Sequence, residues 1–439
     1  MAADRRRSAV IRIALALAVW CAAPPSPANA QGAAQPAPLE LRPNAVARVA
    51  GPGTPIDTFQ YDTPFVKQTT AGVAAADLEE VLVGTRSLRV DTDGDALQVN
   101  VRATNLNPID LSGSFLTLTL KLSGLEHLSY LSLYLSADGF ETYDSFPVLT
   151  GVADPAFSYG HDGEWFTITV GLGTTATGGR PTIDLAAVTD MQLSLADDGT
   201  GPVTAWFDYL GALDLPARGK VSLVFDDARD GAFAFALPLA QRLGIRASIA
   251  AIVDLVGVDT FMTVDQLLTA ERFAGWEVIA HQASLLEDGG LDTLTPEALT
   301  AELARVKTWL LENGFQRGVD LIAYPYGGYD AESLAQVRRY FAAGRTIVRD
   351  QGLETWPPAD PYRIRAVSLG AADPPSAINA LIDRAATERA WLVLVFHQVY
   401  PRGSDVDTYY YMEDLASILA HLAAADVDVV LLSEALFGD

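Results

Sequence analysis

Cysteine occurs once in the 439 residues, as Cys21. It lies in an apolar N-terminal stretch with the marks of a cleaved leader, so the rest of the chain has no thiol. That excludes disulfides, thiol catalysis and thiolate metal binding. Positive charge is also scarce: 30 Lys and Arg stand against 55 Asp and Glu, a formal charge of −25. Loss of residues 1–30, with four arginines and one aspartate, takes this to −28. An acidic surface of that size repels phosphate backbones and anionic lipid, which excludes nucleic acid and membrane-surface partners. Histidine is scarcer still, with five in the chain.

The leader reads as a signal peptide over residues 1–30. Arg5, Arg6 and Arg7 form its positive start, and residues 13–23 an apolar core too short to span a bilayer. Pro24, Pro25 and Pro27 break any helix, and Ala28-Asn29-Ala30 is an A-x-A cleavage site. The chain is therefore expected to be secreted, to the periplasm or outside the cell, with no membrane insertion after cleavage. Residues 31–55, rich in Ala, Pro and Gly, read as a linker.

From 56 to 215 the pattern has period two. LTLTLKL (116–122), YLSLYLS (130–136), WFTITV (165–170) and MQLSL (191–195) alternate apolar and polar residues. Turn signals such as Asp138-Gly139, Asp162-Gly163 and Asp198-Gly199 separate them. This predicts an all-β, jelly-roll-like antiparallel sandwich. Asp91-x-Asp93-Gly94-Asp95 lacks the spacing and terminal Glu of a calcium loop. A hairpin turn between strands 86–90 and 97–101 is expected there.

After Pro216, strands alternate with helices. Strand-like runs occur at 220–226, 246–252, 276–281, 319–324, 345–349, 363–368, 391–396 and 427–432. Leu299, Leu303, Val306 and Leu310 mark a helical stripe that starts at Thr295-Pro296 and stops before Gly314. Asp330 and Ser376 are expected to cap two more helices. About eight such units predict an α/β domain of irregular (β/α)7-8 barrel type. Four of the runs end in polar residues: KVSLVFDD (220–227), WEVIAH (276–281), VDLIAYPY (319–326) and WLVLVFH (391–397). Parallel strands share their carboxyl ends on one face, so Asp226, Asp227, His281 and His397 are predicted to meet in one mouth. Two carboxylates and two histidines are the minimum for metal-assisted hydrolysis of an amide or ester. His127 and His161 lie in turns and His421 on a helix, and these read as structural or merely exposed.

Over residues 219–437 the chain resembles the polysaccharide deacetylases with the NodB-homology domain, carbohydrate esterase family four. Val224-Phe225-Asp226-Asp227 resembles the first family motif, with Ala228 in place of a Gly. Gly275–His281 is similar to the run into the histidine motif, and Ala323-Tyr324-Pro325-Tyr326-Gly327 to the groove motif. Ala343-Gly344-Arg345-Thr346 matches a segment common in one branch, and residues 392–397 resemble the last motif. The resemblance implies Asp226 as general base, Asp227 and His281 as ligands of a divalent metal such as zinc, and His397 as general acid. It also implies a groove at Pro325 and Tyr326, whose backbone helps hold an oxyanion, and removal of N-acetyl groups from an amino-sugar polysaccharide or oligosaccharide.

Two departures qualify that expectation. The family's histidine motif is H-x-x-x-H, and Leu285 stands where the second histidine belongs. Were 281–288 helical, Glu287 would point to another face and Asp288 would lie about 10 Å further along the axis. Ser284 and Gln282 are weak ligands, so a weakly held metal is expected. The second departure is Ala323, where many members carry an arginine near the base; Arg345 is the candidate replacement. The alternative to a deacetylase is a catalytically impaired, deacetylase-like carbohydrate-binding protein. The outline of residues 56–215, with Gly84–Leu88 and Trp206–Tyr209, resembles a carbohydrate-binding jelly roll. Tyr134, Tyr143, Tyr159, Trp165 and Trp206 are its candidate sugar-stacking or core aromatics.

Overall fold

A computed structural model describes residues 41–152, 158–286, 289–347, 353–403 and 410–438. The expected leader lies outside these residues, as do Glu287 and Asp288.

Alternation sorts the side chains of the N-terminal strands onto two faces, and the apolar faces pack together into one core. The strands are β1 (Thr54–Asp57), β2 (Val66–Lys67), β3 (Val73–Asp77), β4 (Ser87–Asp91), β5 (Gln98–Ala103) and β6 (Ser114–Ser123). They continue with β7 (Leu128–Ser136), β8 (Asp144–Thr150), β9 (Trp165–Val170), β10 (Asp190–Asp197) and β11 (Thr204–Asp214). One sheet runs β3-β4-β11-β6-β9, with β1 also on β11; the other runs β2-β5-β10-β7-β8. Leu116, Leu118, Leu120 and Leu122 of β6 are at most 1% exposed, as are Leu131, Leu133 and Leu135 of β7 and Met191, Leu193 and Leu195 of β10. Each such side chain contributes about 1.5–3 kcal/mol of burial, which makes this one shared core.

The hairpin expected between 86–90 and 97–101 does not form. β4 pairs with β3 and β11, whereas β5 pairs with β2 and β10, so residues 92–97 cross from one sheet to the other. Asp197 ties that crossing to β10 by accepting from the Gly94 and Ala96 amides at 3.1 and 2.7 Å. Period two fixes the face a residue takes, not the strand that lies beside it.

Four residues separate β11 from the first parallel strand. This second set is β12 (Gly219–Phe225), β13 (Ser248–Ile252), β14 (Glu277–Gln282), β15 (Leu321–Ala323) and β16 (Ala343–Arg345), then β17 (Val367–Ser368), β18 (Trp391–Phe396) and, past a two-stranded piece of β19 (Val399–Tyr400) and β20 (Tyr410–Tyr411), β21 (Val427–Val429). Their order is β16-β15-β14-β13-β12-β18-β17, with β21 also beside β12. The ring closes through residues 361–368: Gly344 bonds Pro361, Ile364 bridges Arg345, and β17 pairs with β18. The run expected at 345–349 forms its strand at Ala343–Arg345, and residues 348 and 349 lie outside the described residues. Val224, Ala250, Ile279, Ala323, Ile364 and Val393 fill the ring. Helices α1 (Leu237–Arg242), α2 (Val264–Phe273), α3 (Pro296–Glu312), α4 (Ala331–Val337), α5 (Pro375–Glu388), α6 (Met412–Ala424) and α7 (Leu432–Phe437) complete the domain. Thr295 and Asp330 cap α3 and α4 by accepting from the Ala298 and Ser333 amides at 3.3 and 2.7 Å. Ser376 lies inside α5, whose N-cap is Pro374.

The segment read as a linker is held over its described part. Asp320 accepts from the Asn44 and Ala45 amides at 2.9 and 2.8 Å, and Arg48 N bonds Leu436 O at 2.7 Å. Sandwich and barrel are joined by buried polar groups. Arg365 Nη2 donates to Glu354 at 2.6 Å and to Thr169 at 3.1 Å, and Arg363 Nη1 to Tyr159 O at 2.9 Å.

At the amino end of β14, burial raises the Glu277 carboxyl above the usual carboxylate range; hydrogen bonds from Ser248 and Ser433 offset only part of that, and nearby Glu434 adds to the rise. The folded state thus favours the protonated acid, and stability falls as pH rises through the window above 4.5, the ordinary value. Glu277→Gln removes that titration. Its melting temperature relative to wild type is expected to climb as pH rises above 4.5. A difference that stays flat with pH would rule this out.

Candidate active site

The register of the parallel strands brings the polar ends together. Phe225 pairs with Phe396, so Asp226 and His397 are next in line on adjacent strands. On β14, Ala251 faces Ala280 and Ile252 faces Gln282, which leaves His281 as the extra residue of a bulge. Bulges re-aim side chains, and this one sits at the ring's carboxyl rim. Ala323 pairs with Arg345 on the same rim. Asp226, Asp227, His281, Arg345 and His397 thus occupy neighbouring strand ends, with Pro325 and Tyr326 in the turn that follows β15.

Arg345 reaches across the mouth to Asp226. Its Nη2 lies 2.5 and 2.7 Å from the two carboxylate oxygens, and the side chains are 1% and 2% exposed. A charge so buried requires a partner, and this one fixes the carboxylate in place. Arg345, the candidate replacement for the arginine absent at Ala323, thus stands beside Asp226. Its Nε and Nη1 have no hydrogen-bond partner among the described residues.

Asp227 follows with φ +69° and Ala228 with φ +54°, left-handed values that cost a non-glycine residue about 1–3 kcal/mol each. The turn aims Asp227 at His281, with Oδ1 and Nε2 3.6 Å apart. His281 Nδ1 donates to Ala323 O at 2.8 Å, which leaves Nε2 to face the mouth. Burial opposes ionisation of Asp227, yet His281, His397 and Arg229 outweigh it and hold the carboxyl well below the usual range. Burial likewise lowers the His281 imidazole, but Asp227, Asp226 and the Ala323 carbonyl more than reverse this and raise it.

These two side chains fit two positions of a divalent ion's shell, since a ligating histidine commonly donates its other nitrogen to a carbonyl. A third donor is wanting: the described residues contain no group of three His, Cys, Asp or Glu able to hold a metal. The mouth also carries less negative charge than the carboxylate count suggests, because Arg229 Nε lies 3.3 Å from Asp227 Oδ2. The helix considered for 281–288 does not form over the described residues 281–286. β14 runs through Gln282, and residues 283–286 form a non-helical loop held by Glu302, which accepts from the Ala283 and Ser284 amides at 2.5 and 3.0 Å. Leu285 is 50% exposed on that loop. Tyr326, at φ +58° and itself 54% exposed, clips the loop by donating its hydroxyl to Leu286 O at 2.7 Å.

Two further side chains shape the mouth. Arg229 balances Asp227 from only two residues away. Buried Gln398 accepts from Gly231 N at 2.9 Å and donates to Asp230 at 2.7 Å, which anchors the loop after Asp227 to the end of β18. Both adjoin residues already singled out, and that adjacency was the only available signal.

The aromatics of the sandwich separate by environment. Tyr159 is 1% exposed at the junction with the barrel, and Trp206 is covered by Arg89 and Lys121. Trp165 is half-buried. Tyr134 and the exposed Tyr143 pack with centroids 5.7 Å apart, beside Phe140, over which Arg102 lies at 3.8 Å. Below them Asn100 and Ser194 turn outward from the core, and Asn100 Oδ1 and Ser194 Oγ are buried with no partner among the described residues.

Residues 215–342 match the polysaccharide deacetylase family profile. YxkH of Bacillus subtilis (strain 168), which carries the polysaccharide deacetylase name, is 29% identical over 144 residues. That stretch covers 31% of this chain and spans half the length of YxkH. Among solved structures, similarity extends to the Streptococcus pyogenes deacetylase PplD, at 24% identity and TM-score 0.30 over 35% of this chain and 67% of that one. It extends also to a carbohydrate-binding module of the β-sandwich superfamily, at 16% identity and TM-score 0.27 over 37% of this chain and 63% of that one. The family profile is matched across the strands that carry Asp226, Asp227 and His281, so a polysaccharide deacetylase domain lies in the C-terminal region, with residues 215–342 as its matched part.

Proposed function

We propose that this chain is an exported, metal-dependent deacetylase that removes N-acetyl groups from an amino-sugar polysaccharide, with a sandwich that holds the glycan. The observation that carries the reading is the buried Asp226–Arg345 pair, set on one rim with Asp227, His281 and His397. Asp227 and His281 would hold a divalent ion, zinc in the simplest case, whose contribution when bound is to polarise the acetyl carbonyl and the attacking water. Asp226 accepts the proton of that water. The Tyr326 backbone amide supports the developing oxyanion, and His397 protonates the departing amine. Arg345 keeps the base from turning away.

A second reading has a specific observation behind it. Leu285, and the lack of a third donor among the described residues, favour a protein that binds acetylated glycan without turning it over. Acetate release from N-acetylated chitin, peptidoglycan and β-1,6-glucosamine oligomers, with metal supplied, separates the two. Release that disappears in Asp226→Asn supports the enzyme; binding with no release from any of the three supports the binder.

The sandwich is tested apart from the chemistry. In the full chain, Tyr134→Ala with Tyr143→Ala is expected to weaken retardation in a substrate-containing gel by about tenfold, from loss of about 1–3 kcal/mol of stacking area. Unchanged migration would reduce the sandwich to a packing platform.

A further inference from the structure

A second concave site lies at the opposite end of the barrel. A cavity of about 500 Å³ opens between sandwich and barrel, within the usual size of a small-molecule site. Its walls come from the start of β6, the end of β9 and residues 171–181 on one side. The other side is residues 353–356 and the carboxyl end of α5. Ala390 on its rim precedes β18, whereas His397 follows β18, so the two sites lie roughly 20 Å apart at about 3.3 Å per strand residue.

Charge sets this cavity apart from the rest of the molecule. Arg180, Arg365, Arg384 and Arg389 line it, against Glu354 and Glu388, in a chain whose formal charge is −25. Two arginines are spoken for: Arg365 closes on Glu354 at 2.6 Å, and Arg384 Nε lies 3.0 Å from Glu388. Arg180 and Arg389 have no carboxylate partner among the described residues, and the Arg389 guanidinium donates to Pro216 O at a long 3.4 Å. Arg389 also stands at φ +53° just past α5, where glycine is the usual occupant, so an arginine is kept at some backbone cost. The sandwich is fitted closely to this end of α5. A Cβ on Gly173 would meet Glu388 Cγ at 2.3 Å, and one on Gly113 would stand 4.0 Å from Arg389 Nη2. Ser114 and Thr387 share the lining with Leu111 and Phe115; the Thr387 hydroxyl donates to Asp383 O at 2.9 Å and keeps its lone pairs to accept from a ligand.

We propose that this cavity is a second ligand site, separate from the deacetylase mouth, that takes a small polyhydroxylated anion through the guanidinium groups of Arg180 and Arg389. Planar guanidiniums bind carboxylate and phosphate oxygens in pairs, the hydroxyls suit a polyol, and the volume suits one or two sugar rings. A sugar acid and a sugar phosphate share this chemistry. Because both lobes form its walls, the ligand ties sandwich to barrel.

The test is calorimetric titration and thermal shift of the full chain with galacturonate, glucose 6-phosphate and neutral galactose. One or both anions are expected to bind and raise the melting temperature, and galactose is not; which anion binds more tightly identifies the head group. Arg389→Gly, whose backbone suits the left-handed position, and Arg180→Ala should each weaken anion binding about tenfold. Asp226→Asn should leave it unchanged, which keeps this result apart from the active site. Anions that bind no better than galactose, or binding that both arginine variants retain, would overturn the proposal.

Discussion

Replacing Arg345 with methionine is expected to cut acetate release by about a hundredfold or more, the usual worth of a positioned general base. It is also expected to destabilise the fold by about 3–5 kcal/mol. That is the usual cost of leaving one partner of a buried ion pair uncompensated, and here the side chains are only 1% and 2% exposed. The two losses have different remedies. Asp226→Asn in the Arg345→Met background removes the unpaired charge, so most of the stability should return while activity stays lost. Arg345→Lys can still place one donor near the carboxylate and should recover part of the rate, but a point charge lacks the fork that holds both oxygens. Denaturant titration and acetate release on the four proteins check this. Wild-type turnover in Arg345→Met would show that Asp226 is held by something else.

Leu285→His is expected to tighten zinc or a similar ion by about tenfold, close to 1.4 kcal/mol, and to raise acetate release with it. The change replaces a half-exposed apolar side chain with an imidazole on the loop that follows His281. The loop is not helical, so the gain depends on its position rather than on helical spacing. Glu302 holds its start and Tyr326 clips its end beside the mouth. Wild type is expected to bind metal at micromolar affinity or weaker, as a site with two protein donors should. Asp227→Ala in the Leu285→His background should erase both gains. Metal titration by calorimetry reads the affinity independently of turnover. A wild type already saturated with tightly held metal, and unimproved by histidine, would mean that another part of the chain supplies the third donor.

Much of the mouth was legible because strand ends are a local property. An apolar run that stops at a carboxylate or a histidine marks both the strand and the side on which its polar group emerges, and parallel order does the rest. Asp226, Asp227, His281 and His397 were found in this way. Arg345 was legible only as a candidate, since its run continues into polar residues and nothing local says which carboxylate it meets. Arg229 and Gln398 carried no pattern of their own.

Where the reading failed, pairing was the reason. Residues 86–101 have the alternation and turn residues of a hairpin, yet β4 and β5 go to opposite sheets because burial of their inner faces rewards that arrangement as well. Residues 44–50 have the composition of a linker, but Asp320 and Leu436, far along the chain, supply partners for their amides. The spacing after His281 was weighed only on the condition of a helix, and that loop is shaped instead by Glu302 from α3.

Two lobes, the strand type of each and the gathering of polar strand ends on one rim were legible in the sequence, because periodicity and the end of an apolar run are written within a few residues. Only the tertiary structure decided that Arg345 locks Asp226, that Arg229 balances Asp227, and that an arginine-lined cavity lies between the lobes. Each of these joins segments with no local signal of one another, and which charges meet is settled by the closing of the ring and the docking of the sandwich against it.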